Sequence, residues 1–418
     1  MISKSRVYSL LTVLSILLIV TTPGMLVNAD QPRTPGGIFG AAATVDNEGS
    51  LIVIGSSSPF SNGQSQAFFF KYVSSLPDSP LSQRACMKTF GDAEPLETFG
   101  YAVATDSSNN IYIAGTTQTF GGEDYDVFVQ KYTESCNLLF TKQWGGAGND
   151  IAHGIAVDAV DNVYITGTTD SFGNGVTQTF LLKYSPSGDL QFSKTWGSGG
   201  NSYGNGVATD SLGDIYVVGT TTIPSSASVG AYGLLLKYDS FGNLLFERTW
   251  GNGNDYGTAV TVDPGGYVYA TGYSYSLGPT VGISSVIVLK YDSAGNLLFQ
   301  GLWGGIRNDY ASGIAVDIDG NIYVTGYTKS YSITPGIPSA FLLKFDPAGN
   351  LLFQRVWGGN RGDFGYGVAV DIQENAYITG YTYSFGPNTQ GANFFLIGYD
   401  RSGNLLYQRF YGGGIPDP

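Results

Sequence analysis

A single histidine, His153, stands in a chain of 418 residues, beside two cysteines and three methionines. One imidazole cannot build a histidine-based zinc cluster, and no serine–histidine–aspartate arrangement can be argued around it. His153 reads as a surface or loop histidine in the linker before a strand. Charge is scarce as well, at 13% of residues, and it is lopsided: 20 Lys and Arg against 33 Asp and Glu, a formal net of −13. No basic run of any length occurs, which argues against a phosphate backbone, and so against nucleic acid, as a partner. No glycine-rich phosphate loop leads from a strand into a helix, and no helical periodicity is evident, so no cofactor is expected.

Apolar stretches of membrane length are missing beyond the first thirty residues. Lys4 and Arg6 precede the apolar run from Val7 to Val20, and "VNA" (Val27 to Ala29) offers small residues for cleavage. Residues 1–29 are therefore expected to be a signal peptide, and the remainder to be soluble and secreted or at the cell surface. The rival is an uncleaved anchor over Val7 to Val27, which Pro23 and Gly24 weaken. Membrane association is expected only in that case. Losing Lys4 and Arg6 would move the net charge from −13 to −15.

What is abundant is glycine, with 60 residues, and tyrosine, with 29, a composition that suits short strands and tight turns. An Asp recurs at 46, 106, 158, 210, 263, 317 and 371, and a Gly follows nine residues later each time. Each unit closes on an aromatic followed by Gly: Phe90, Trp144, Trp196, Trp250, Trp303, Trp357 and Tyr411. The period is 52 to 54 residues after a longer first unit. The units run over about 36–91, 98–145, 150–197, 202–251, 255–304, 309–358 and 363–412.

Within a unit four short strand-like runs appear, as in "SGIAVD", "NIYVTGYT", "AFLLKFD" and "LLFQRVW". "DIDGN" and "DPAGN" join the first pair and the second pair as hairpin turns. Apolar residues on both faces of the runs mean a sheet covered on both sides. Seven such four-stranded antiparallel units around an axis meet that demand, so the expected fold is an all-β, seven-bladed β-propeller over residues 36–414. Small residues in the first run suit a crowded innermost strand. The blade boundary could fall at either long linker, "WGGNRGDFG" or "GYTYSFGPNTQGAN".

The words "GIAVD", "GNIYVTGYT" and "LLKYDxxGN" resemble the SBBP class of propeller repeats of exported bacterial and archaeal proteins. "YVTG" is also similar to the "YVTN" signature of surface-layer propellers. The resemblance implies the fold and an extracellular role, and no shared chemistry. The "DFP" that follows the second strand in many such repeats is missing here.

Asp317, Asp319 and Asn321 are spaced like the start of a calcium loop. Repetition weighs against that reading: all seven turns keep the leading Asp but not the second acidic ligand, and a strand follows where a closing Glu would stand. A turn Asp accepting backbone N–H groups is the preferred reading, with a metal as the alternative. Lys71, Lys131, Lys183, Lys237, Lys290 and Lys344 end the third runs and can share the hairpin face with these Asp, while Gly398 interrupts the series. Cys136 occupies the glycine place of a turn that wants positive φ, and Cys86 follows an insertion in the matching hairpin of unit one. A disulfide between them, or two free thiols, would fit.

Catalysis finds little support, although loop carboxylates such as Glu123 and Asp124 leave a polysaccharide-acting enzyme as an alternative. A purely structural envelope component is a further one. The units differ most after the second strand. Units five to seven carry "GYSYSL", "GYTKSYS" and "GYTYSF", so Tyr273, Tyr275, Tyr327, Tyr331, Tyr381 and Tyr383 crowd one arc. Arg307, Asp309, Arg361 and Asp363 come from the neighbouring linkers. These ten residues are the candidate site for an extracellular glycan or protein. The competing reading is that recently duplicated units use these Tyr as packing.

Overall fold

The computed structural model describes residues 38–57, 65–73, 83–90, 97–118, 124–173, 175–224 and 230–412. The expected signal peptide and Glu123 lie outside them. The described residues form seven four-stranded sheets and no helix, and in every sheet the strands pair antiparallel in chain order. Blade six is representative: Asp309–Val316, Ile322–Thr328, Ser339–Phe345 and Leu351–Trp357. The first strand of each blade lies innermost, against the first strands of the neighbouring blades, and blade seven returns to blade one. The fourth strand is outermost, and in blades two to seven it opens on an exposed leucine. The chain therefore crosses between blades at "WGGNRGDFG", whereas "GYTYSFGPNTQGAN" stays within blade seven.

Packing explains why this arrangement is stable. A four-stranded sheet with two apolar faces has to cover both. Seven separate apolar clusters do so, one at each junction between adjacent blades. At the closing junction Phe68, Phe70 and Tyr72 of blade one meet Phe394 of blade seven. There the Tyr72 and Tyr411 hydroxyls are 2.6 Å apart. Each blade is completed by its own segment of chain, so the ring closes by packing and not by a shared strand.

The periodic glycine has a local cause. In every blade the first strand carries one extra residue that has no partner on the second strand: Ala41, Tyr101, His153, Asn205, Thr258, Ser312 or Tyr366. Such a bulge twists the strand and brings its backbone close to the neighbouring strand. A Cβ on Gly326 would lie 1.9 Å from the Tyr310 carbonyl oxygen. Only glycine fits there.

The hairpin face is held by the repeated Asp, Tyr and Lys. Asp317 accepts from the amides of Asp319 (3.1 Å) and Asn321 (2.8 Å), from the Asn321 side-chain amide, and from the Tyr323 hydroxyl. Lys344 Nζ lies 3.8 Å from the same carboxylate. Asn321 thus gives an N–H where a cation would need an oxygen, so this is a capped turn and the calcium alternative is set aside. Lys71 and Lys131 lie 3.0 and 3.1 Å from Asp46 and Asp106. Lys237 departs from the pattern and pairs with Asp214 at 2.8 Å. These lysines also reach across junctions to the second hairpin of the next blade: Lys183 to the Ser240 carbonyl, Lys237 to Ser293 and Lys290 to Pro347. Lys71, Lys131, Lys237 and Lys344 are buried, whereas Lys183 and Lys290 are half-buried. At Gly398 the Tyr407 ring comes close to where a side chain would start.

Cys86 and Cys136 are joined in a disulfide that links the outermost strand of blade one to a hairpin of blade two. Cys136 holds the positive φ its position called for, at 63°.

Tyr132, Tyr184, Tyr291 and Tyr399 end the third strands of four blades, and burial pushes each phenol up to about 12. A folded-state value raised above the unfolded one means the neutral phenol is favoured in the fold. That stability is fully present below the ordinary tyrosine value near 10 and is lost as pH rises from there toward 12. Phenolate absorbance followed on raising the pH is expected to show these tyrosines ionising late, together with loss of the β-sheet circular dichroism signal. Their complete ionisation near pH 10 with the fold intact would contradict this burial.

Candidate functional site

Strand direction alternates within a blade, so both long linkers emerge on the face opposite the hairpins. On this loop face each corner is organised by the residue that opens the first strand. In blades six and seven it is Asp309 or Asp363, both fully buried. Asp309 accepts from the Thr328 and Ser330 hydroxyls and from the amide of Gly305. Asp363 does the same with Thr382, Ser384 and Gly359. Burial pushes the Asp363 carboxyl above its ordinary value against the pull of those hydrogen bonds. Each carboxylate ties a crossover, a strand end and a loop into one corner. With their oxygens spent inside, Asp309 and Asp363 frame the site and do not line it.

The tyrosines divide into two groups. Tyr273 and Tyr381 are buried, so for these two the packing alternative holds and not direct ligand contact. A continuous line of rings joins them around the arc. Tyr256 stacks on Tyr273 at 4.7 Å, Tyr273 meets Tyr310 at 4.9 Å, and Tyr310 stacks on Tyr327 at 4.8 Å. Tyr327 then meets Phe364 at 5.0 Å, and Phe364 stacks on Tyr381 at 4.8 Å. Tyr275, whose hydroxyl is 2.8 Å from that of Tyr310, and Tyr383, whose ring is 5.7 Å from Tyr381, flank the line. These residues seal blades five to seven to one another. Each ring pair contributes on the order of 0.5–1.5 kcal/mol beyond the area it buries.

Tyr331 belongs to the second group, with 41% of its surface exposed. Its ring lies 4.9 Å from that of Trp303, and its hydroxyl donates to the Gly304 carbonyl at 2.9 Å. Blade seven repeats the device with Phe385, 37% exposed and 5.0 Å from Trp357. Phe385 escaped the sequence reading, which followed tyrosines. Aligning "TKSY" with "TYSF" would have placed the two rings at one position. Each corner also holds an exposed arginine, whose backbone amide donates to the serine before the ring: Arg307 to Ser330 and Arg361 to Ser384, both at 3.0 Å. The Arg361 guanidinium lies 5.7 Å from the Tyr383 ring centre and donates to the Thr389 carbonyl at 3.0 Å. Arg307 has its Nη1 3.4 Å from where a side chain on Gly336 would begin.

His153 is not in a linker. It is the bulge residue of an innermost strand, Asp150–Val157, and is half-buried. Its Nδ1 is 2.9 Å from the Gly204 carbonyl, which can only accept, so Nδ1 carries the proton. Burial lowers its pKa, the carbonyl bond opposing, and the ring is neutral at physiological pH.

Comparison with known proteins agrees with this geometry. A family model described as Beta-propeller repeat, SBBP, matches residues 95–120, 139–174, 190–224, 302–333 and 356–386. An uncharacterized WD repeat-containing protein of Acanthamoeba polyphaga mimivirus is 24% identical over 74% of this chain, which spans 33% of that relative's length. Among solved structures, Sqt1 from Chaetomium thermophilum is similar with a TM-score of 0.50 and 13% identity, over 90% of this chain and 87% of that one. The β-propeller domain of the Trilobed protease from Pyrococcus furiosus, described as having an open velcro topology, gives 0.50 and 8% over 90% and 96%. At these identities the structures speak for the fold alone.

Because Tyr381 is a buried member of the ring line, Tyr381→Ala is expected to lower stability by about 3–5 kcal/mol. Tyr331→Ala, on the surface, should cost well under half of that. Thermal or denaturant unfolding of the two variants measures the difference, and equal losses would contradict this division.

Proposed function

We propose that this chain, built of SBBP β-propeller repeats, is an exported, non-catalytic binding module whose ligand, an extracellular glycan or protein, docks on the loop face over blades five to seven. The observation that carries this reading is the pair of exposed, tryptophan-backed rings, Tyr331 on Trp303 and Phe385 on Trp357, each with an exposed arginine on the same corner. A ring already fixed against tryptophan loses little side-chain freedom on contact, so its apolar face is available at low entropic cost. Export is supported by the N-terminal segment and by a disulfide of a kind that persists in oxidising compartments. Such a module acts secreted or at the cell surface.

The ten candidate residues take different roles in this proposal. Tyr331, Arg307 and Arg361 meet the ligand together with Phe385. Tyr275, Tyr327 and Tyr383 border it, and Tyr273, Tyr381, Asp309 and Asp363 hold the surface in place.

The test uses residues 30–418 in native affinity gels containing a panel of extracellular polysaccharides, with new reducing ends scored in parallel. Retention that drops in Tyr331→Ala and Phe385→Ala, with no new ends, is the expected outcome. New ends would replace the module by an enzyme. Absence of retention together with self-association of the purified protein would replace it by an envelope component.

A further inference from the structure

The exposed charge on this face runs against the charge of the chain. Across the loop segments 275–284, 304–309, 329–338, 358–363 and 383–392 the only acidic residues are Asp309 and Asp363, and both are fully buried within hydrogen-bonded corners. The same segments carry Arg307, Lys329 and Arg361, of which both arginines are exposed. Among the described residues no carboxylate pairs with any of the three. A protein of formal net charge −13 thus presents a local surface whose exposed ionised groups are all cationic.

The fold does not require this. The corner between blades two and three has the same construction, with Phe172 46% exposed and 5.1 Å from Trp144. There Gly148 stands where Arg307 and Arg361 stand, and Asp170 stands where Lys329 stands. One aromatic corner is therefore cation-free and acidic, and two adjacent ones are cationic. The cationic character is a property added to blades six and seven.

We propose that the ligand of this face is an acidic polysaccharide, a polymer of uronate or similarly anionic sugars, bound across two equivalent subsites. This rests on the loop-face binding reading above and names its substrate class. The first subsite is Trp303, Tyr331 and Arg307; the second is Trp357, Phe385 and Arg361. An apolar pyranose face packs on the exposed part of Tyr331, which rests on Trp303, or of Phe385, which is held by Trp357 and by Phe410, its ring 5.7 Å away. The neighbouring guanidinium pairs with the sugar carboxylate, for which its planar fork of donors is suited. Arg361 spends one N–H on Thr389 and keeps the rest for a ligand. Two copies of one subsite, one repeat apart, suit a ligand that is itself a repeat. An acidic peptide offers carboxylates but not the flat apolar faces the two rings would cover.

The probes are polygalacturonate, the same polymer fully methyl-esterified, and poly-glutamate, titrated calorimetrically into residues 30–418. Variants are Arg307→Gln with Arg361→Gln, Tyr331→Ala with Phe385→Ala, and Lys142→Gln with Lys194→Gln as an equal loss of charge on outer strands; thermal unfolding checks each fold. The proposal expects polygalacturonate to bind at least about tenfold more tightly than its ester. It also expects the arginine pair to erase that difference, the aromatic pair to weaken both polymers, the lysine pair to change neither, and salt to weaken only the charged one. Equal binding of polymer and ester, still lost with the aromatic pair, would overturn the acidic class while leaving the glycan face standing. Poly-glutamate binding as tightly as polygalacturonate would overturn the sugar in favour of an acidic peptide. Binding of none of the three by folded protein would overturn the proposal, and silence across the neutral panel as well would take the binding face with it.

Discussion

Every blade is a sheet with two apolar faces, and it can hide them only against the blades on either side. That demand sets the ring, because a row of such blades leaves both ends uncovered until the last meets the first. The seven inter-blade clusters are accordingly the core of the protein, distributed around an axis instead of gathered at a centre. At the closing junction, where no strand is exchanged and Gly398 replaces the lysine clasp, aromatic packing among Phe68, Phe70, Phe394 and Tyr411 takes over. At the next junction the disulfide adds a covalent tie.

The two faces of the ring use their polar residues differently. On the hairpin face charge is consumed internally: each turn Asp is capped by its own backbone, and the lysines reach inward to carboxylates and to the carbonyls of the next blade. On the loop face of blades six and seven the carboxylates are the buried partners, and the arginines are left toward solvent. A rigid frame with open cations and open rings above it is the arrangement a binding surface needs.

Much of the frame was legible in sequence because the same physical requirement recurs seven times. The Asp-to-Gly interval marks a capped turn and a backbone crossing that excludes Cβ, and neither tolerates much variation. The glycine place held by Cys136 pointed to its positive φ and to a disulfide. The site was less legible. In a strand buried on both sides, alternation no longer separates inside from outside, so Tyr273 and Tyr381 looked the same as Tyr331. The bulge that carries His153 leaves no composition signal, since its seven occupants share neither size nor polarity. Phe385 was missed because chemistry, and not position, defined the set.

The most direct measurement is hydrogen exchange read by mass spectrometry, with and without saturating polygalacturonate. Slowed exchange confined to the loop segments 304–308, 329–337, 359–362 and 383–391, with the hairpins of the same blades unchanged, is what this account predicts. Protection centred on the hairpin face, or on the acidic corner around Phe172, would contradict it.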